Sequence, residues 1–321
     1  PIFSLPSPYG IGTMGAAARE FVDFLAQGGQ SCWQVLPLGP TGFGDSPYQS
    51  FSSWAGNPYF IDLDELAAGG LLEPGEYQDI EWGAGLDRFR AENRAWLDDY
   101  ALFMALKGKH GGAPWSRWPA GERLREPKAL AAAREELAGE IAFWQGVQYL
   151  FFRQWRALKG YANGRGIALI GDLPIYAAAD SADVWAHPEQ FQLDGEGRPT
   201  EVAGCPPDAF TADGQLWGNP LFEWERMKEE GYRWWLGRIA HQFTLYDALR
   251  IDHFRGFDAY YAIPYGEATA RNGRWRPGPG IDFFRAVREQ LGKRDIIAED
   301  LGFLTPSVHR LRRQAGFPGM K

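Results

Sequence analysis

Two short apolar runs in this chain stop at acids: Ala248-Leu249-Arg250-Ile251-Asp252-His253-Phe254-Arg255-Gly256 and Asp295-Ile296-Ile297-Ala298-Glu299-Asp300-Leu301-Gly302. Each is partly β-branched and breaks at glycine, the pattern of a buried parallel strand that delivers a carboxylate to its C-terminal end. A third run, Gly166-Ile167-Ala168-Leu169-Ile170-Gly171-Asp172-Leu173-Pro174, has the same form. Strand alternation sets Arg250 and Asp252 on one side and Ile251 and His253 on the other, and makes Glu299 rather than Asp300 the inward acid. A guanidinium beside Asp252 favours the ionised state that a nucleophile needs. Taken singly, each strand also allows a plainer reading: a structural ion pair for Arg250 and Asp252, or a helix N-terminal acid for Glu299. Taken together, an ionised Asp and a Glu that holds its proton on neighbouring strands form the pair used to cleave a glycosidic bond with retention.

Aromatic residues point to the same chemistry. Of 14 tryptophans, Trp54 in Ser52-Ser53-Trp54-Ala55-Gly56 and Trp217 in Gln215-Leu216-Trp217-Gly218-Asn219-Pro220 lie in loop-like segments rather than on periodic faces. Flat rings on loops suit the apolar faces of sugars, and Tyr48 shares that placement. Trp144, Phe151 and Trp155 instead repeat at helical spacing and read as core.

The positioning elements follow from periodicity. Residues 16–28 carry Phe21, Phe24 and Leu25 at helical spacing and end at Gly28-Gly29. A strand over 31–38 then opens into Gly39-Pro40-Thr41-Gly42-Phe43-Gly44-Asp45-Ser46-Pro47-Tyr48, a loop by composition. Trp144, Val147, Phe151, Trp155 and Leu158 mark a long amphipathic helix ending at Asn163-Gly164. Three segments are expected: 1–64, a barrel segment with a substrate loop; 65–165, a mainly helical insertion; and 166–321, carrying the catalytic strands with an excursion at about 176–232. No linker separates independent domains. The alternation of helix and strand predicts an α/β fold, a (β/α)8 TIM barrel with helical insertions.

At 321 residues and 45% hydrophobic, the chain can bury a large core, and no window is apolar enough to span a membrane. A net charge of −8 without a basic stripe argues against nucleic acid as a partner and suits a neutral substrate. The two cysteines, Cys32 and Cys205, fit a reducing cytoplasm. Five histidines show no paired ligand spacing, so neither metal nor cofactor is expected.

The run 250–256, with Ala298-Glu299-Asp300-Leu301-Gly302, Ser46-Pro47-Tyr48-Gln49-Ser50, Gly171-Asp172-Leu173-Pro174-Ile175 and Pro206-Pro207-Asp208, resembles the 4-α-glucanotransferase (amylomaltase) family of the α-amylase clan over essentially the whole chain. The resemblance implies cleavage of an α-1,4-glucan, a covalently held donor half, and its transfer to the 4-hydroxyl of another glucan or of glucose. The substrates would be maltooligosaccharides and starch- or glycogen-derived α-glucans. It implies Asp252 as nucleophile and Glu299 as general acid and base, with Arg250, Asp172, Asp208, Ser46, Tyr48 and Trp217 binding substrate. The clan also uses a third acid on a later strand, and no Asp or Glu follows Asp300. The resemblance therefore implies an internal fragment lacking the first and last three barrel strands, and leaves open an inactive glucan-binding module. A dinucleotide-type Gly10-Ile11-Gly12-Thr13-Met14-Gly15 is a further rival, but Pro6 and Pro8 stand where its strand is required.

Overall fold

A computed structural model describes residues 1–71, 83–209, 211–302 and 304–320; part of the expected 65–165 insertion lies outside them. Its strands are β1 (Cys32–Gln34), β2 (Ala168–Leu173), β3 (Glu201–Cys205), β4 (Gln215–Pro220), β5 (Ala248–Ile251), β6 (Ala259–Pro264), β7 (Arg274–Pro277) and β8 (Ile296–Ala298). Its helices are α1 (Ala16–Gln27), α2 (Leu63–Ala68), α3 (Gly83–Lys109), α4 (Ala120–Arg123), α5 (Pro127–Glu136), α6 (Ala138–Gly164), α7 (Ala182–Ala186), α8 (Trp224–Glu229), α9 (Arg233–Leu245), α10 (Gly280–Leu291) and α11 (Pro306–Ala315).

The strands that end at the acids form a parallel sheet in the order β1-β2-β5-β8. Register places Asp172 opposite Arg250, Arg250 opposite Ile297, and Ile251 opposite Ala298. One face, with Trp33, Leu169, Leu249, Ile251, Ile296 and Ala298, is buried. The other carries Cys32, Gln34, Ala168, Ile170, Ala248 and Arg250, which remain at least partly exposed, and Cys32, Ala168, Ile170 and Ala248 line a hollow of about 490 Å³. The sheet is thus an open arc. After α11 the chain returns alongside β8 through a parallel bridge between Ala298 and Gly319.

The predicted helices at 16–28 and up to 164 are α1 and α6, and the strand over 31–38 narrows to β1. Val35 still donates to Ile170 O (2.9 Å), but Pro37 lacks the N–H that a longer ladder requires. On α1, Phe21 and Leu25 pack inward while Phe24 is 67% exposed, so the expected apolar face is narrower. On α6, Phe151, Trp155 and Leu158 are buried. The same helix clamps the segment 56–62: Gln148 makes paired hydrogen bonds with Gly56 N and O (2.7 and 2.9 Å), and Gln154 with Asp62 N and O (2.8 and 2.9 Å). Each glutamine satisfies a backbone donor and acceptor that would otherwise be buried unpaired.

A second sheet, absent from the sequence expectation, is antiparallel in the order β4-β3-β6-β7. It draws β3 and β4 from the excursion after Asp172 and β6 and β7 from beyond Asp252. Glu201 on β3 binds Arg274 Nη2 (2.8 Å) and Arg276 Nη2 (2.5 Å) on β7, which ties β3 to the edge strand across β6. The glycine-rich turn at 10–15 also has a structural use. A Cβ at Gly12 would overlap the backbone of Ile2 and Leu5, and one at Gly15 would overlap the Asp62 carboxylate, which accepts from Thr13 Oγ1 (2.6 Å).

Gly171, beside Asp172, is held to glycine by packing, because a Cβ there would overlap the ring of the buried Tyr246. Gly171→Ala is expected to destabilise the fold by about 1–3 kcal/mol, the range for overpacked cores, read as a lower urea midpoint at unchanged slope.

Candidate active site

The three strand-end residues of the parallel arc meet around one guanidinium. Arg250 Nη1 lies 2.5 Å from Asp172 Oδ1 and 2.9 Å from Asp252 Oδ1. The opposed register of Asp172 and Arg250 brings the first pair together. Alternation along β5 brings the second, since Arg250 and Asp252 lie two positions apart. Tyr48 closes the group from the 39–50 loop, donating from its hydroxyl to Asp172 Oδ2 (2.8 Å).

The Asp172 side chain is 1% exposed, Arg250 12% and Asp252 28%. Burial raises the pKa of Asp172 above the usual carboxylate range despite the pull of Arg250 and Tyr48. Asp252 is pushed up to about 6, first by burial and then by the negative charges of Asp172 and Glu299, against which Arg250 pulls down. Arg250 favours the ionised form of Asp252, but it acts against burial and two neighbouring acids. One guanidinium shared by two carboxylates cannot offset burial and two further negative charges. Asp252 is still mostly ionised at pH 7, and it loses its charge under mildly acidic conditions.

Glu299 follows β8 and is fixed by backbone donors. Its Oε2 accepts from His253 N (2.9 Å) and its Oε1 from Leu301 N (3.0 Å). The His253 donor is aimed by a left-handed backbone, φ 49° and ψ 48°, a conformation that costs a non-glycine residue about 1–2 kcal/mol. Its ring packs edge-on against Trp217, with centroids 4.8 Å apart. Burial and the nearby Arg255 lower the His253 pKa to about 4, so the ring is neutral.

Above these groups lies a cleft of about 280 Å³ that includes Ser46, Tyr48, Trp217 and Asp252. Four expected residues thus share one wall system, with Asp172 and Arg250 bound to it through Tyr48 and Asp252. Asp208 stands apart on an exposed loop, where its Oδ1 accepts from Thr211 N (2.7 Å) and Thr211 Oγ1 (3.0 Å). Trp54 faces elsewhere, edge-on to Trp234.

Gln49, Tyr176 and Asn219 line the cleft without having been singled out. Gln49 Nε2 donates to Asn219 Oδ1 (3.0 Å), joining the loop to β4. Gln49 and Asn219 sit inside the motifs quoted above, so their neighbours carried a signal. Tyr176 follows the Asp172 strand and gave none beyond its position. No group of three or more potential metal ligands occurs among the described residues, and none of their helices is long and apolar enough to cross a membrane.

The family model described as 4-alpha-glucanotransferase matches residues 1–87 and 78–321. A 4-alpha-glucanotransferase from Thermus thermophilus is 51% identical over 348 residues, covering 99% of this chain and 70% of the relative. One from Streptococcus pneumoniae serotype 4 is 46% identical over 353 residues, covering 100% and 70%. Among solved structures, amylomaltase from Streptococcus agalactiae in complex with acarbose superposes with a TM-score of 0.94 at 42% identity, covering 100% of this chain and 71% of that one. Amylomaltase from Corynebacterium glutamicum shares the fold at a TM-score of 0.73 and 21% identity, covering 99% and 49%. The open parallel arc with its helical layers is accordingly part of an amylomaltase-type α/β barrel.

The shared guanidinium has a measurable consequence. In carboxyl-carbon NMR of aspartate-labelled protein, Asp252 is expected to titrate near pH 6. Asp172→Asn removes a neighbouring negative charge and frees Arg250 for Asp252, so the midpoint is expected to fall by roughly one unit.

Proposed function

This chain belongs to the 4-alpha-glucanotransferase family, and from that premise we propose that Asp252 and Glu299 exchange α-1,4-glucosidic bonds by retaining double displacement. The observation that carries the proposal is the joint placement of the two acids. Asp252 is held by Arg250 at the end of β5, and Glu299 is fixed at the end of neighbouring β8 by the N–H of the residue after Asp252. Strand-end acids at one mouth of a parallel barrel suit substrate chemistry.

In the first step the Asp252 carboxylate attacks the anomeric carbon of a donor glucan, and the bond from that carbon to the leaving 4-oxygen breaks. Glu299 gives its proton to that oxygen, so the departing glucan leaves as a neutral alcohol. In the second step the 4-hydroxyl of an acceptor glucan, or of glucose, gives its proton to Glu299 and attacks the same carbon. The ester to Asp252 breaks and the carboxylate is restored. Two inversions leave the α configuration unchanged.

The remaining residues position the sugars. Arg250 balances the charge of Asp252 before and after the ester forms, while Asp172, with Tyr48 bonded to it, offers a buried acceptor to hydroxyls at the cleavage point. Trp217 presents a ring that His253 braces from the side, and Ser46 supplies a hydroxyl on the opposite wall. Asp208 serves the glucan from its exposed loop, beyond the immediate cleft. On this reading the 65–165 region is a helical insertion that clamps the substrate loop, and 166–321 carries the catalytic strands. The acceptors and donors are maltooligosaccharides and other α-1,4-glucans.

Asp252→Asn is expected to abolish the covalent intermediate, because an amide cannot act as the carboxylate nucleophile. Incubation with an activated glucosyl fluoride followed by peptide mass spectrometry checks this; a label on another residue would refute the assignment.

Glu299→Gln is expected to slow maltotriose cleavage by on the order of 10²–10⁴, the usual contribution of a general acid. An activated donor whose leaving group needs no proton is expected to be cleaved with a far smaller loss in the first step. Equal losses on both donors would remove Glu299 from that role.

A further inference from the structure

Trp54, a loop tryptophan that the cleft does not use, belongs to a second pocket of about 200 Å³ between α3, α7 and α9. Trp54, Trp96 and Trp234, all partly exposed, are among its walls, and none of its lining residues is shared with the cleft around Asp252. The indoles of Trp54 and Trp234 stand nearly perpendicular, 80° apart with centroids at 5.1 Å. Trp96 is fixed through its Nε1–H, which donates to Asn93 Oδ1 (3.1 Å). The Nε1–H of Trp234 is buried and has no acceptor among the described residues. The polar lining consists of Asp99, Asp183, Ser52, His187 and Arg233.

An aromatic cage with acids can hold a cation, but here a cation is already part of the wall, because Arg233 lines the pocket beside the acids. Asp99 Oδ1 binds Arg125 Nη2 at 2.7 Å. The buried Asp183 accepts from Ser53 N (2.7 Å), and burial pushes its pKa up to about 6 against the pull of Arg238. With Asp99 paired and Arg233 in the wall, the pocket offers ring faces and polar groups without a net call for a further cation. That combination fits a neutral polyol with apolar C–H faces, and the volume fits one hexose ring.

We infer that this pocket is a second carbohydrate site that binds a single glucosyl unit outside the catalytic cleft. The choice of glucose rests on the α-glucan reading above, whereas the site itself rests on the pocket. Occupation would be felt along the loop that begins at Ser46 and Tyr48 and ends at Trp54, because Asp183 holds that loop at Ser53.

Gly237 allows the pocket to be plugged without touching the core. It is an exposed lining residue inside α9, and a Cβ built there meets no atom within 4 Å. Ala95, exposed on the rim, is a second plugging position on a different helix.

The experiment is ligand-observed saturation-transfer NMR with free glucose on the unaltered chain, on Tyr48→Ala, and on Gly237→Phe and Ala95→Phe each combined with Tyr48→Ala, with unfolding midpoints measured in parallel. Tyr48→Ala weakens glucose binding as an acceptor in the cleft, so the response left in that background reports the second pocket. The expected result is a glucose response that survives Tyr48→Ala and falls at least tenfold in whichever plugged double variants keep the Tyr48→Ala midpoint. No response in the unaltered chain would overturn the inference. So would a response lost in Tyr48→Ala alone, or one that persists in a folded plugged double variant. Displacement of glucose by tetramethylammonium at equal concentration would overturn it in favour of a cation cage. Because binding is read without turnover, a failure of the Asp252 and Glu299 assignment leaves this outcome unaffected.

Discussion

The site depends on one guanidinium standing between two carboxylates. Asp172 is almost fully buried and Asp252 largely so, and neither could remain charged there without a neighbouring cation. Arg250 meets both because its strand lies in register with β2 and because Asp252 follows it by two residues. The arrangement is deliberately short of charge. One cation serves two anions, so Asp252 keeps a raised proton affinity and more nucleophilic electron density than a fully neutralised carboxylate would have. Replacing Arg250 by lysine would keep the charge but lose the rigid planar group that holds one nitrogen, Nη1, between both oxygens.

Glu299 is held in a different way, by peptide N–H groups rather than by a cation. The two acids therefore sit in distinct electrostatic settings although their strands are neighbours. In the proposed mechanism the two settings correspond to two roles, proton transfer at Glu299 and attack on carbon by Asp252. His253 connects them. Its left-handed backbone turns the N–H after Asp252 toward Glu299, and Phe254 and Phe257, which follow it, are fully buried.

Much of this was legible in the chain because strand-end acids leave a periodic signature. The apolar runs before Asp172, Asp252 and Glu299 located three of the four parallel strands, and the two-residue spacing of Arg250 and Asp252 gave their contact. Helix α6 was visible from its aromatic stripe. The antiparallel sheet was not, because its strands come from both sides of Asp252 and its ties, such as Glu201 with Arg274 and Arg276, are long-range. The raised pKa of Asp252 was missed for a similar reason: burial and the fields of Asp172 and Glu299 are tertiary effects, invisible to a local reading that saw only Arg250. Trp54 and Trp217 looked alike in sequence, each in a small-residue segment, yet the fold turns them toward different pockets. Composition marks a ring as available and says nothing of its direction.

The two walls of the cleft are built with unequal stiffness. Trp217 lies on β4, a strand laddered to β3, and His253 locks its ring to the segment carrying Asp252. The facing wall, 41–50, is closed on itself by a bridge between Thr41 and Ser50. It reaches across to β4 through the Gln49 amide, which contacts Asn219 Oδ1 and Trp217 O. The facing wall is held to the rest of the fold at single side chains, Tyr48 to Asp172 on β2 and Gln49 to β4. An occupant of the cleft therefore meets one wall set by a backbone ladder and another set by a few side-chain hydrogen bonds.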